Sequence, residues 1–297
     1  MSFFSLKFET PWRRWAVYLL WGIPALYLIY IAVMYTFQNK FVFPGAGKSI
    51  ATPAQMEMPF EDVTLMTPDG ARLSAWFIPG AKLPATDAKP SGAAPGKPAC
   101  ALFCEGNAEN CGDRLDQIFY WHRLGVSVFI WDYRGYGSST GHATIRHERA
   151  DVKVALAYVL GRPDVDPAKI ILDGHSIGTG VCGTLLPDFQ PAAIVLEAPF
   201  SSLVQAAQDQ APLVPVRWLL SDNYDTDAKL KNYDGPVLIL ASRKDELFKP
   251  IHAERLHRAC KNGTLLWDDG THPEQRQGAM YGTVIEAFLT ENKLIGH

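Results

Sequence analysis

The sequence predicts an α/β protein with a mostly parallel, eight-stranded sheet flanked by helices and preceded by an N-terminal transmembrane helix. Two observations predict this class. The 23 residues at 15–37 include no charged side chain. From about residue 61, short β-rich apolar runs alternate with longer amphipathic runs, as in parallel sheets whose strands are joined by helices. We therefore divide the chain into a tail (1–14), a transmembrane anchor (15–37), a linker (38–60) and one α/β domain (61–297).

The anchor is long enough to cross a bilayer. Its 23 residues at about 1.5 Å each span roughly 34 Å, and a hydrocarbon core is about 30 Å thick. Trp15 at one end and Tyr35 and Phe37 at the other suit the aromatic belts of a membrane span. A cleavable signal peptide is the alternative, but its apolar region is only about 7–15 residues long.

The flanking charges predict an orientation for this anchor. Lys7, Arg13 and Arg14 precede it, whereas Lys40 and Lys48 follow it. Because basic residues collect on the cytoplasmic side, we expect a single-pass membrane protein with a cytoplasmic N-terminus. The α/β domain would then be periplasmic or lumenal.

The elements of the domain follow from apolar periodicity and from Gly and Pro breaks. The predicted strands cover residues 63–66, 73–78, 99–104, 127–131, 170–172, 193–196, 237–241 and 264–267. The predicted helices cover residues 114–124, 145–160, 177–185, 250–260 and 279–289. Residues 81–98, rich in Ala, Pro and Gly, predict a surface loop.

Composition excludes one large class of partner. The 297 residues are 47% hydrophobic, and 28 basic against 31 acidic residues give a net charge of −3. This apolar content allows a sizeable core. Nearly balanced charge without a long Lys/Arg block argues against a nucleic-acid partner, because such binding relies on neutralising phosphates.

A serine on a strand-to-helix turn is the first candidate catalytic residue. The predicted strand 170–172 leads into Gly174, Ser176 and Gly178, which form a GxSxG string directly before a predicted helix. Such a turn exposes the serine hydroxyl, and the flanking glycines relieve the crowding that the turn creates. We predict that Ser176 is a nucleophile; the alternative is a buried turn serine.

A serine nucleophile needs a histidine base and an orienting acid, in the chain order Ser, Asp, His. Asp245 follows the predicted strand 237–241, and His272 follows the last predicted strand. Both therefore lie at carboxyl ends of strands, where open α/β sheets place their sites. Two alternatives stay open: Glu246 could replace Asp245, and seven other histidines compete with His272.

An oxyanion hole requires two backbone amides near the serine. Ile177, directly after the serine, would supply one of them. The turn after the predicted strand 99–104 would supply the other, from Asn107. The alternative for this segment is an ordinary strand-to-helix turn.

Three segments together, 105–110, 132–138 and 174–178, resemble the α/β-hydrolase superfamily, in particular its membrane-anchored abhydrolase-domain serine hydrolases. The similarity extends from about residue 41 to residue 289, and it implies the α/β-hydrolase fold and a serine hydrolase activity. In that group the first segment usually begins His-Gly-Asn, whereas Glu105 stands here in place of the histidine. An ionised carboxylate pointing inward would oppose an oxyanion.

The leading hypothesis is a serine hydrolase that cleaves carboxylic esters or thioesters through an acyl-enzyme. A membrane anchor makes a lipid or an acylated protein a suitable substrate, and the resemblance adds that some relatives remove acyl groups from proteins. Residues 201–230 predict either a small lid over an acyl pocket or a core-facing helix. The alternative functions are a serine peptidase on the same fold and a non-catalytic, membrane-tethered interaction protein.

Other motifs predict no cofactor and no metal. Residues 45–49 resemble the end of a phosphate-binding loop but lack its first glycine, since Val42 stands there. The pairs His142/His147 and His252/His257 are five residues apart and so do not share one helix face. The odd count of five cysteines leaves at least one thiol free or paired with another chain, and no CxxC pair indicates a redox or zinc site.

Overall fold

The computed structural model describes residues 11–49, 51–81, 97–272 and 279–296. The predicted tail up to residue 10 and most of the predicted surface loop at 81–98 lie outside the described residues. Helix α1 covers Pro11–Val42 and is longer than the predicted anchor at both ends. Its segment Tyr18–Val42 has a mean hydropathy of 1.7 and is long and apolar enough to cross a membrane.

The chain joins the core of the domain directly after α1, inside the segment predicted to be a linker. Phe43 is 6% exposed, and its ring meets the ring of Tyr133 edge to face at a centroid distance of 6.1 Å. Helix α1 takes up residues 38–42 of that predicted linker, so this helix joins the core without a long spacer.

Among the described residues, eight strands form one sheet, as the sequence predicts, and their order is β1-β2-β4-β3-β5-β6-β7-β8. Strand β2 pairs antiparallel with β1 and with β4, and all other neighbours are parallel. The strands are β1 (Glu61–Met66), β2 (Arg72–Ile78), β3 (Cys100–Cys104), β4 (Ser127–Trp131), β5 (Ile170–His175), β6 (Ala193–Glu197), β7 (Pro236–Ser242) and β8 (Asn262–Asp268).

The central strands are buried on both faces because helices cover each side of the sheet. Leu172 of β5 packs with Val181 and Leu256 on one face, and its neighbour Ile171 packs with Trp121 and Ile285 on the other. The helices after α1 are α2 (Leu115–Arg123), α3 (Ile145–Leu160), α4 (Ile177–Gly183), α5 (Leu203–Gln210), α6 (Val216–Leu219), α7 (Thr226–Leu230), α8 (Pro250–Ala259) and α9 (Ala279–Glu291).

The predicted helices form with shifted ends. The predicted helix 114–124 is preceded by a 3₁₀ turn at Cys111–Arg114, where Asn110 and Asp113 make a reciprocal capping box. The predicted helix 177–185 ends at Gly183. Region 201–230 divides into the short helices α5, α6 and α7 instead of one helix.

All five cysteines are free thiols in this structure. Cys100, Cys104, Cys111 and Cys182 are buried, and Cys260 is half-buried. Burial raises the pKa of the Cys260 thiol to about 12, which keeps it protonated. The cysteines therefore serve as small core side chains.

Candidate active site

Ser176 lies on a sharp turn between β5 and α4. Its backbone has φ 51° and ψ −118°, a conformation that side chains rarely adopt. The turn is close-packed, since a β-carbon at Gly178 would lie 2.1 Å from the Cys104 carbonyl oxygen and one at Gly174 would lie 2.7 Å from the Gly178 oxygen. The Ser176 amide donates to the Glu197 carbonyl at 2.9 Å. Both glycines are therefore required for this backbone path.

The structure brings Ser176, His272 and Asp245 together in one hydrogen-bonded chain. His272 Nε2 lies 3.0 Å from Ser176 Oγ, and His272 Nδ1 lies 2.8 Å from Asp245 Oδ2. The other Asp245 oxygen accepts the amides of Leu247 and Phe248, each at 2.8 Å. The carboxylate is thus fixed in place and can orient the imidazole, which can accept the serine proton.

The rival acid and a neighbouring histidine make other contacts. Glu246 Oε2 accepts the backbone amide of His272 at 3.0 Å and so holds the chain, not the ring. The His175 ring stacks at 5.5 Å from the His272 ring, but its Nδ1 lies 3.0 Å from Glu109 Oε2. Phe248 meets the other side of the His272 ring edge to face at 5.2 Å.

The two residues predicted to supply oxyanion amides lie in the lining of one cavity. Ile177 and Asn107 both line the same cavity as Ser176. Neither amide donates a hydrogen bond to any residue that the structure describes, whereas the Gly106 amide donates to Glu109 Oε2 at 2.9 Å. The Asn107 carbonyl accepts the Tyr136 hydroxyl at 2.6 Å, which fixes the loop after β3.

The Glu105 side chain is fully buried and is absent from the described residues that line the cavity with Ser176. Burial raises the pKa of Glu105 well above its usual range, and the nearby Asp132 carboxylate adds to this effect. The raised pKa favours the neutral acid, a form that would not oppose an oxyanion.

Glu105, Cys111 and Asp132 offer three donor atoms within 4.8 Å of one another, a set that could hold a metal ion. Burial raises the pKa of all three groups and so favours their protonated forms, which are poor ligands. The spacing of these three residues along the chain matches no metal motif, so the sequence did not predict this cluster.

A buried ion-pair network lies beneath the turn and was also not predicted. The Arg114 side chain is 1% exposed and lies 3.2 Å from Asp173 and 3.3 Å from Glu197. The Tyr281 hydroxyl donates to Glu197 at 2.6 Å. Because Asp173 stands on β5, which leads into Ser176, and Glu197 stands on the neighbouring β6, the network ties these two strands together. The sequence does not reveal that Arg114 is buried, and without this burial Arg114 looks like an ordinary surface arginine.

A second group of the same residue types lies outside the cavity. Ser201 Oγ is 2.9 Å from His252 Nδ1, and His252 Nε2 is 3.3 Å from Asp209 Oδ2. Ser201 and His252 are fully buried. This set joins the start of the predicted lid region to α8.

The cavity beside Ser176 has a volume of about 450 Å³ and extends between the predicted lid region and α1. Leu203, Ala206, Val214 and Val216 of the lid region line one wall. Residues of α1 form another wall, although the sequence predicted only an anchor for this helix. No charged side chain appears among the described residues that line it.

Sequence relatives identify the family. The chain is 32% identical over 271 residues to the uncharacterized protein Rv2307c of Mycobacterium tuberculosis, with 90% of this chain and 92% of that protein covered. It is 30% identical over 266 residues to the alpha/beta hydrolase domain-containing protein WAV2 of Arabidopsis thaliana, with 80% of each covered. The chain belongs to the α/β-hydrolase family.

Other comparisons agree with this assignment of the hydrolase. Residues 97–226 match a family model described as serine aminopeptidase, S33, a match that ends before Asp245 and His272. The uncharacterized membrane protein YNL320W of Saccharomyces cerevisiae is 28% identical over 288 residues, covering 92% of this hydrolase and 96% of that protein. The esterase Pf2001 of Pyrococcus furiosus has the same fold, with a TM-score of 0.64 and 18% identity over 85% of this chain and 98% of the esterase.

Proposed function

We propose that this α/β-hydrolase is a membrane-anchored serine hydrolase that cleaves carboxylic esters or thioesters through an acyl-enzyme. The observation that carries the proposal is the hydrogen-bonded chain from Asp245 through His272 to Ser176, placed at the end of an uncharged cavity. The amides of Ile177 and Asn107, two residues of the same cavity lining, donate to no described residue and would complete the set of groups that acyl transfer requires.

The geometry supports the following sequence of steps. Ser176 Oγ attacks the substrate carbonyl while His272 Nε2 accepts its proton, and Asp245 holds the proton on His272 Nδ1. The amides of Ile177 and Asn107 donate to the oxyanion. His272 then protonates the departing alcohol or thiol, which leaves an acyl group on Ser176. Water, deprotonated by His272, attacks this acyl-enzyme, releases the acid and restores the serine.

An acyl ester or thioester suits the cavity better than a peptide does. The family model that matches residues 97–226 is described as a serine aminopeptidase, which favours the peptidase alternative. An aminopeptidase must hold a charged substrate amine, and a buried charge needs an opposite charge or strong hydrogen bonds. The described lining of this cavity includes no carboxylate. The solved relative Pf2001 is an esterase, which agrees with an apolar acyl group in this space.

Membrane attachment through α1 is part of the proposal. The helix has an apolar segment of 25 residues, Tyr18–Val42, and the yeast relative is named a membrane protein. Basic residues at 7, 13 and 14 before the span against Lys40 and Lys48 after it favour a cytoplasmic N-terminus. The catalytic domain would then face the periplasm or a lumen.

A fluorophosphonate probe tests the serine mechanism. We expect the full chain to be labelled, Ser176→Ala to lose all labelling, and Ser201→Ala, whose hydroxyl is buried outside the cavity, to be labelled like the wild type. Equal labelling of Ser176→Ala, or none of the wild type, would reject the hydrolase in favour of the interaction protein. Rates on a short ester, its thioester and an aminoacyl amide then rank the substrate classes.

A further inference from the structure

We infer that α1 is a wall of the acyl site as well as an anchor, and that the substrate is a long-chain acyl ester of a bilayer lipid that enters sideways from the leaflet. This inference rests on the proposed hydrolase function. Its first support is the cavity itself, which reaches from Ser176 to the surface of α1. The α1 residues that line it are Tyr30, Met34, Tyr35, Gln38, Phe41 and Val42.

The cavity-facing side of α1 has a regular pattern. Met34, Gln38 and Val42 are half-buried and follow one another at intervals of four residues, whereas their neighbours Val33 and Phe37 are exposed. Residues four apart share one face of a helix. One stripe of the helix is therefore partly covered by the domain, while Tyr30, Tyr35 and Phe41 beside it line the cavity and keep about half of their surface exposed.

Two hydrogen bonds fix the lid region at two heights along α1. The Tyr27 hydroxyl donates to the Leu213 carbonyl at 2.7 Å, and the Ser221 amide donates to Gln38 Oε1 at 3.0 Å. If the hydrocarbon core begins at Trp15, Tyr27 lies about 18 Å into it and Gln38 about 34 Å along. With a core of about 30 Å, Leu213 lies within the hydrocarbon and Ser221 lies at its far edge.

The lid segment between these two contacts has the composition of a membrane-inserted loop. Residues 211–220 read APLVPVRWLL, with Arg217 as the single charged residue. Leu213 is 80% exposed and Trp218 is 85% exposed, large values for such apolar side chains. An arginine can extend its charged end to the interface while its stem stays in the apolar layer.

The backbone of this segment is also suited to an apolar solvent, where an unpaired amide is costly. The amides of Val214 and Trp218 donate to carbonyls within the segment, and the Leu220 amide donates to Val216. Pro212 and Pro215 have no amide hydrogen. Few backbone groups of this segment therefore need hydrogen bonds to water at its expected depth beside α1.

Access to Ser176 favours a lipid over an acylated protein. Ser176 is 4% exposed and lines the cavity between the lid region and α1. A lipid needs to bring only its ester and one chain past the lid, whereas an acylated protein must bring its polypeptide to the same depth. The uncharged lining suits the chain, and α1 connects the cavity with the layer that holds the substrate.

The test uses the full chain in phosphatidylcholine vesicles that contain monooleoylglycerol, with p-nitrophenyl acetate as a soluble reference ester. Met34→Trp fills the α1 side of the cavity. We expect it to lower the ratio of oleate release to acetate release by about tenfold or more, since a long chain needs that space. Val33→Trp, on the exposed side of the same helix, should keep the wild-type ratio.

A lid variant tests the inserted loop independently. Trp218→Asp places a charge where the leaflet is expected, and it should lower the same ratio by about fivefold or more. Met66→Asp, at an exposed apolar position of β1 outside the cavity, is the matched control and should keep the wild-type ratio.

Several results would overturn the inference while leaving the proposed function intact. These are acetate hydrolysis without oleate release, equal ratios in Met34→Trp and Val33→Trp, and faster deacylation of a palmitoylated transmembrane peptide than of monooleoylglycerol. A wild-type protein that hydrolyses neither ester and takes no fluorophosphonate would instead overturn the proposed function itself.

Discussion

Two serine–histidine–aspartate groups occur among the residues that the structure describes, and their imidazole rings are turned in opposite directions. In the cavity, His272 presents Nε2 to Ser176 and Nδ1 to Asp245. In the second group, His252 presents Nδ1 to Ser201 and Nε2 to Asp209. Both sets have the same residue types at hydrogen-bonding or ion-pairing distances, so composition and proximity do not distinguish a nucleophile from a structural serine.

The difference between the groups lies in what surrounds each serine. Ser176 stands on a strained turn at φ 51° and lines a cavity together with Ile177 and Asn107. Ser201 is fully buried, and both its amide and its hydroxyl approach His252 Nδ1. Ser201 is absent from the described residues that line the cavity. Access to a cavity therefore distinguishes the candidate nucleophile from the buried serine.

The largest expected contrast comes from removing each histidine. His272→Ala should lower kcat for p-nitrophenyl acetate by about 10⁵–10⁶, because triad members act as a unit. His252→Ala should change kcat of the folded protein by less than about tenfold, because no substrate atom reaches that ring. Steady-state kinetics on protein checked for folding by circular dichroism measures both. A similar loss in the two variants would erase the distinction between the groups.

The two aspartates should differ by a smaller factor. Asp245→Asn keeps the shape of the side chain but favours the wrong imidazole tautomer, so kcat should fall by about 10⁴. Asp209→Asn should stay within about twofold of the wild type. The same kinetic measurement decides, and a Glu246→Gln variant tests the other nearby acid. If Glu246→Gln lowered kcat more than Asp245→Asn does, Asp245 would lose its assigned role.

The strained turn, present only in the first group, supplies a third contrast. In Gly178→Ala the new β-carbon would lie 2.1 Å from the Cys104 carbonyl oxygen and must displace the chain before Asn107. We expect a loss of about 1–3 kcal/mol in unfolding free energy. Activity should fall by about 10², because small displacements of catalytic groups are costly. Gly47→Ala, with open space around its β-carbon, is the control for urea denaturation and kinetics.

The smallest effect concerns pH and the second group. Burial lowers the pKa of His252 below its ordinary value of about 6.5, although Asp209 opposes this shift and Arg255 and Lys249 add to it. The folded protein therefore binds fewer protons here than the unfolded chain, so stability falls as pH drops through 6.5. In His252→Gln this part of the loss should disappear. Urea denaturation between pH 7.5 and 5.5 measures it, and parallel curves for the two proteins would contradict it.

The sequence was sufficient to predict the eight strands and the residues that meet at their ends. Buried parallel strands leave continuous apolar runs, and the carboxyl ends of parallel strands meet at one edge of the sheet. For this reason the three residues could be predicted to meet, although Ser176 lies 96 positions and Asp245 lies 27 positions before His272. Their geometry agrees with the prediction, and their catalytic role stays a proposal.

The sequence could not predict contacts that depend on how separate elements pack. The Tyr27 to Leu213 hydrogen bond joins residues 186 positions apart, and nothing periodic marks either residue for it. The same is true of Arg114, whose burial against Asp173 and Glu197 depends on three elements meeting. Local composition also did not predict the division of the lid region, where Pro212 and Pro215 separate α5 from α6.

Attachment of the domain to α1 at two heights has a consequence for kinetics. A domain linked by one flexible tether would rotate and sample the volume above the membrane. Here the hydrogen bonds of Tyr27 and Gln38 with the lid region restrain that rotation. In the proposed arrangement the enzyme therefore diffuses only within the plane of the membrane. Its rate should then follow the mole fraction of substrate among the surrounding lipids, and dilution with inert phospholipid should slow it even when the total amount of substrate is constant.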